Sequence, residues 1–264
     1  ISLGIYPPDS GWVELLGGRN PLEVRYRVGY LPEERGLYAK MKVREQLAFL
    51  GAIRGLNPSE ADRRAGQWLQ RMGLSGREQS STNELSKGMQ QKVQFASAVL
   101  HDPEVVVLDE PFTGLDPVNT RLLKDLILEQ SQAGTTVILS THRMEQVEAM
   151  CDSICLIHRG ETVLAGQLAE IKTSYGKSTA LVEYEGAPGV LKDLPGVREV
   201  NDSGREARLR LEKDADSQAL LRALLDRAQV RSFRLEEPHI EDIYIEKVGA
   251  RSPAFESEGS EVLS

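Results

Sequence analysis

Short apolar runs alternate with amphipathic stretches over the first two thirds of the chain. Val28–Leu31, Glu104–Leu108 and Thr135–Ser140 are brief and mainly aliphatic, the pattern of strands covered on both faces. Between them, Val43–Arg54, Pro58–Met72, Ser86–Leu100 and Pro117–Gln132 repeat their apolar residues at helical spacing, and Asn57–Pro58 is a good cap and first-turn pair. Ahead of these, Ile1–Ile5 reads as a helix tail stopped by Pro7 and Pro8, and Trp12–Leu16 as a short strand. Arg143–Met150 is a further helix, followed by a hairpin of Ile154–His158 and Thr162–Leu164 around Arg159-Gly160. Strands alternating with helices predict parallel β-α units, hence an α/β domain over residues 1–173 with a helical insert at about 43–100.

Past a linker at 174–178 the pattern changes. Strands are expected at Thr179–Glu185, Val197–Asn201, Glu206–Glu212 and Val230–Glu236. A short helix at Gly189–Leu194 and a longer one at Asp216–Ala228 separate them, giving β-α-β-β-α-β, the ferredoxin-like arrangement of a small α+β domain over 179–249. Ile240–Val248 is a last helix, and the Ser-, Glu- and Gly-rich residues 250–264 are expected to be disordered.

The net charge of −8 speaks against a broad nucleic-acid footprint, and no apolar run nears the roughly 18 residues needed to span a bilayer. Membrane association would therefore go through a partner. Cys151 and Cys155 have no further ligands at zinc spacing and read as small buried apolar residues in a reducing compartment.

The densest chemistry lies in Val105–Pro117, VVVLDEPFTGLDP. Asp109 and Glu110 fall where a buried strand emerges, which is where α/β sheets bind phosphate and metal. A carboxylate there can hold Mg²⁺, and its neighbour can orient and deprotonate a water attacking a phosphate. His142 ends the next strand and can reach the same face. Ser86, Lys87 and Gly88 open a helix, whose first N–H groups and dipole favour an anion, although Ser86 alone is an ordinary cap. Asp116-Pro117 is likewise explained as a cap followed by proline. Gly176-Lys177-Ser178 mimics the end of a phosphate loop, but Ile171 stands where the first glycine belongs, so it reads as linker.

In this order the motifs resemble the ATP-binding cassette (ABC) ATPases, over about Ile1–Gly249. LSKGMQQ (Leu85–Gln91) is similar to the signature motif, VVVLDEP to the Walker B strand, Gly114–Pro117 to the D-loop and His142 to the switch histidine. Tyr30–Tyr38 and Glu237–Gly249 resemble the sodium- and drug-exporter subfamily with its carboxyl-terminal extension. Three departures stand out: Glu33 replaces the Q-loop glutamine, Lys87 and Met89 alter the signature, and no G-x-x-x-x-G-K-[ST] loop occurs.

The resemblance implies a P-loop-NTPase-like cassette, incomplete at its amino terminus, whose ligands are ATP and Mg²⁺. It implies catalytic roles for Glu110 and His142, nucleotide contacts from Ser86, Lys87, Gly88 and Asp116, and metal contacts from Asp109 and Glu33. Its partners would be a second cassette, packed head to tail, and a membrane permease, at the cytoplasmic face of the membrane. Residues 34–54 are the expected permease contact.

Losing three or more charge-assisted phosphate-loop hydrogen bonds costs about 5–9 kcal/mol. A micromolar site has only about 8 kcal/mol in total. The expectation is an exporter's energy-coupling subunit, amino-terminally truncated and inactive alone. A non-catalytic scaffold is the second reading, which the retained Asp109-Glu110 pair disfavours. A cassette acting on ribosomes or DNA is the third, and the acidic chain without a second cassette disfavours that.

Overall fold

A computed structural model describes residues 3–18, 23–34, 36–175, 179–187, 189–212 and 215–249. Gly176-Lys177-Ser178 and the expected disordered tail at 250–264 lie outside them. The chain divides into two compact units, Ile1–His142 and Arg143–Ser264, so the expected break after residue 173 falls inside the second.

The first unit is built on three strands, β1 (Val28–Leu31), β2 (Val105–Asp109) and β3 (Thr136–Ser140), parallel and in that order. Helices α1 (Val43–Ile53), α2 (Pro58–Arg71) and α3 (Lys87–Val99) lie between β1 and β2 in sequence, and α4 (Pro117–Gln132) links β2 to β3. Their starts follow local chemistry. Asn57 accepts the Glu60 amide at 2.9 Å ahead of Pro58, and Asp116 accepts the Asn119 amide at 2.9 Å ahead of Pro117.

Leu31, Leu47, Leu69, Phe95, Leu108 and Leu123 are fully enclosed, and Trp68 meets Phe95 edge to face with centroids 6.1 Å apart. Strand β1 lies close beneath α3. A β-carbon at Gly29 would sit 2.1 Å from the Ala98 carbonyl oxygen, so only glycine fits. Strand β3 differs from the other two. Its alternate residues are exposed, including Ile138 at 47 %, instead of being covered on both faces.

Two expectations near the amino terminus fail. Leu3–Ile5 forms turns and bends, and Trp12–Leu16 is no strand. Leu15 and Gly18 exchange backbone hydrogen bonds at 2.9 Å across a tight turn, and the segment pairs with no strand among the described residues.

The second unit holds α5 (Met144–Met150), the antiparallel hairpin β4 (Ser153–His158) and β5 (Glu161–Gln167), and α6 (Leu168–Tyr175). A four-stranded sheet follows, with β6 (Thr179–Glu185), β7 (Val197–Asp202), β8 (Glu206–Leu211), α7 (Ser217–Leu225), β9 (Gln229–Glu236) and finally α8 (Ile240–Gly249). Its spatial order, β7-β8-β6-β9 and all antiparallel, is that of a ferredoxin-like sheet. The helix expected at Gly189–Leu194 is a series of turns. Positive φ at Gly189 and Asp193 breaks the helical path, while Leu191 and Leu194 still plug the core.

A separate core joins Ile154, Leu156, Leu168 and Ile171 to Ile240 and Ile243, so α8 docks on the hairpin. Glu148 on α5 pins this dock. It accepts from Ile240 N at 2.8 Å, lies 2.9 Å from His239 Nδ1 and 3.2 Å from Lys172 Nζ, and these partners outweigh burial to lower its pKa. Cys155 corrects an expectation: it is exposed, because Ile154 and Leu156 take the inward positions of β4. Cys151 is half-buried, and both thiols are free.

Two stability predictions follow from the first unit. Gly29→Ala overpacks the β1–α3 contact and is expected to cost about 1–3 kcal/mol or more in denaturant unfolding; an unchanged midpoint would contradict it. His101 is buried, and that burial, together with the Arg54 guanidinium, lowers its pKa to about 4. Because the folded state disfavours the proton, this stability is complete above the unfolded value of about 6.5 and is lost as pH falls towards 4. Linkage makes it about 3 kcal/mol. His101→Gln should flatten the pH dependence of stability in that window, and an unchanged slope would refute the assignment.

Candidate functional site

The site begins with strand register. Asp109 on β2 pairs with Ser140 on β3, so the chains leave the sheet side by side, Glu110 next to Thr141 and His142. The Ser140 hydroxyl donates to Asp109 Oδ1 in a short bond, and the Glu110 amide donates to the Ser140 carbonyl at 3.0 Å. Glu110 then turns sharply, with φ at +45°, a left-handed conformation rare for a residue with a side chain and typical of functional turns.

Three donors meet its carboxylate. Oε1 accepts the His142 amide at 2.8 Å and lies 2.7 Å from His142 Nδ1, while Oε2 accepts the Thr141 hydroxyl at 3.3 Å. Glu110 is largely buried, its side chain 14 % exposed, whereas the His142 ring is 80 % exposed. With Nδ1 turned onto the carboxylate, Nε2 is left for a group in solvent. Tyr30, on the neighbouring strand, is also close: burial first and the Asp109 charge second raise its pKa.

Ser86, Lys87 and Gly88 form a second cluster. Ser86 caps α3, its oxygen accepting from Met89 N at 3.3 Å. A β-carbon at Gly88 would lie 3.4 Å from Leu115 Cδ2 and 3.6 Å from the Gly114 carbonyl oxygen, so the start of α3 packs on the turn after β2. Asp116 ends that turn, where the Asn119 backbone and side-chain amides lower its pKa. Lys92, one of the few buried charges, faces the same acid: burial lowers its pKa and Asp116 opposes that. Among the described residues no hydrogen bond or ion pair joins Ser86, Lys87 or Gly88 to Asp109, Glu110 or His142.

Glu33 stands in the bend after β1, and no direct contact brings it to Asp109. Among the described residues no three acidic, His or Cys side chains converge as a metal site. What holds the bend is Gln94 of α3, whose Nε2 donates to the Pro32 carbonyl at 3.0 Å and the Glu34 carbonyl at 3.2 Å. Two other glutamines of α3 act alike. Gln90 donates to the Thr82 and Leu85 carbonyls, each at 3.0 Å, and Gln91 donates to that of Pro111 at 3.0 Å. Sequence reasoning missed these carboxamides, Tyr30 and the bond from Ser140. Periodicity alone marks the inward glutamines of α3 only as polar residues on a buried helix face.

Comparison with known proteins identifies the family. Residues 1–113 match the model of the ABC transporter family, and residues 166–248 match that of the ATP-binding protein DrrA1-3-like, C-terminal domain. The ABC transporter ATP-binding protein YhaQ of Bacillus subtilis is 41 % identical over 248 residues, 94 % of this chain and 83 % of that protein. The Nod factor export ATP-binding protein I of Rhizobium etli is 28 % identical over 252 residues, 94 % of this chain and 78 % of that protein. A solved ATP-binding subunit of an ABC transporter superposes with a TM-score of 0.61 at 33 % identity, covering 66 % of this chain and 74 % of its own. With a cassette fold, its motifs in order and relatives matched over most of their length, the chain belongs to the ABC transporter ATP-binding protein family.

Proposed function

We propose that this chain is the ATP-hydrolysing subunit of an exporter, in which closure of two head-to-tail cassettes drives a membrane permease. The Glu110–His142 contact at the mouth of the parallel sheet carries the reading. Glu110 is held by three donors and orients the attacking water, while His142, anchored through Nδ1, turns Nε2 to the γ-phosphate. Asp109 keeps one oxygen open beyond its bond from Ser140. That donor set fits Mg²⁺, which takes one or two carboxylates and completes its shell with phosphate oxygens and water. Glu33 is the second acid assigned to the metal side. Ser86 and Gly88 serve the nucleotide of the opposite copy, and Lys87 and Asp116 are the further nucleotide contacts. Export is supported by the name of the Rhizobium relative.

Within residues 34–54, Tyr38, Phe49 and Ile53 are 54 %, 42 % and 51 % exposed, and the Tyr38 and Phe49 rings meet edge to face at 6.1 Å. Exposed aromatics stacked in this way are the composition of a protein-binding hot spot, and we assign the permease to it at the cytoplasmic face of the membrane.

Because the 264 residues contain no phosphate loop, they should release no phosphate above background on their own. Adding a strand–loop–helix segment with G-x-x-x-x-G-K-[ST] ahead of Ile1 should give Mg-ATP hydrolysis, which Glu110→Gln lowers by about 10²–10⁴. Turnover by the unextended chain that Glu110→Gln abolishes would overturn the first statement. Turnover by the extended chain that survives the substitution would overturn the role of Glu110. At the permease, Tyr38→Ala and Phe49→Ala should each weaken association by about 1–3 kcal/mol, and crosslinks from a cysteine at position 49 should reach a permease loop. Crosslinks that land only elsewhere would refute the contact.

A further inference from the structure

We infer that Gln94 is a positioning residue: its carboxamide fixes the Glu33 bend to the signature helix, so that the two ends of one cassette move as a single piece. Gln94 is 2 % exposed, and its Nε2 spends both protons on the carbonyls that flank Glu33, those of Pro32 and Glu34. The bonds go to backbone, so they set where the Glu33 side chain starts whatever that side chain then contacts. The amide has one usable orientation. Flipping it would set Oε1 against two carbonyl oxygens, and the burial leaves no room for solvent to relieve the repulsion.

One turn earlier on the same helix, Gln91 grips the Pro111 carbonyl immediately after Glu110. Through Ser86 the helix also begins at the cluster assigned to the opposite copy's nucleotide. A shift of the Glu33 bend must therefore drag α3, or else break two hydrogen bonds. The proposal rests on the nucleotide reading for what Glu33 faces, and on geometry alone for what Gln94 does.

The test needs no nucleotide, so its failure is separate from failure of that reading. A nitroxide label at Glu34→Cys, in a chain with Cys151→Ser and Cys155→Ser, reports the bend by its spectral line shape; a label at Asp125→Cys on α4 serves as control. Gln94→Glu preserves shape but, ionised, has no proton to donate; protonated, it donates one. Gln94→Met preserves volume and donates at no pH. At pH 8 both variants should lower the ratio of immobilised to mobile label at position 34 by about tenfold, the worth of one to two such bonds. At pH 5 the Glu variant should recover much of the ratio and the Met variant none, with the α4 label unmoved throughout. An unchanged line shape at position 34 would overturn the proposal. So would equal loss in both variants at both pH values, or parallel loosening of the α4 label, which would mark Gln94 as a filler of the core.

Discussion

Pairing of β2 with β3 is the constraint on which the candidate site depends. With Asp109 opposite Ser140, the hydroxyl reaches the carboxylate, and the next residues of both strands leave the sheet in step. Glu110 can then take the His142 amide, the His142 ring and the Thr141 hydroxyl on one carboxylate. A slip of one residue would invert the faces and send Glu110 and His142 to opposite sides. The positive φ at Glu110 is the local cost of this arrangement, and the strand-end hydrogen bonds hold it in place.

Helix α3 supplies the second constraint. It is buried along most of its length, and its buried polar side chains are the carboxamides of Gln91 and Gln94 and the ammonium of Lys92. The carboxamides of Gln90, Gln91 and Gln94 donate to loop carbonyls: Thr82 and Leu85 before the helix, Pro111 after β2, Pro32 and Glu34 after β1. Loop backbone is costly to bury unless such groups are satisfied, and amide donors do this without adding charge beneath a site that gathers carboxylates. Gln46, fully buried, serves loop backbone in the other sense: its Oε1 accepts the Tyr38 amide while its Nε2 donates to the Thr82 hydroxyl at 2.9 Å.

In the second unit, one carboxyl-terminal helix completes one small core and is tied to the sheet over the other by an ion pair. Ile240 and Ile243 of α8 complete the core beneath the β4–β5 hairpin, while Asp242 takes Arg210 of the four-stranded sheet at 2.5 Å. Glu148 fixes the start of that helix by accepting its first free amide, and the ring of His239 lies against the same carboxylate. The match of residues 166–248 to one domain model spans α6, the whole four-stranded sheet and α8, while Ile154 and Leu156 of β4 complete the hairpin core from outside it.

Local chemistry was enough to read most of the fold. Helical spacing located α1 to α4 within a residue or two, and Asn57 and Asp116 announced two helix starts. The acidic strand end and His142 were visible because short aliphatic runs end in polar residues at both places. Sequence failed where a segment had no partner to finish it. Trp12–Leu16 has β-forming residues but pairs with no strand, and Gly189–Leu194 has helical spacing but a backbone broken by positive φ. Periodicity also misplaced Cys155, which faces solvent on a strand whose inward positions belong to Ile154 and Leu156. The contact between Glu110 and His142, and the grip of Gln94 on the Glu33 bend, join residues 32 and about 60 positions apart. Sequence fixes which atoms can donate and accept, but only strand register and the depth of α3 decide which of them meet.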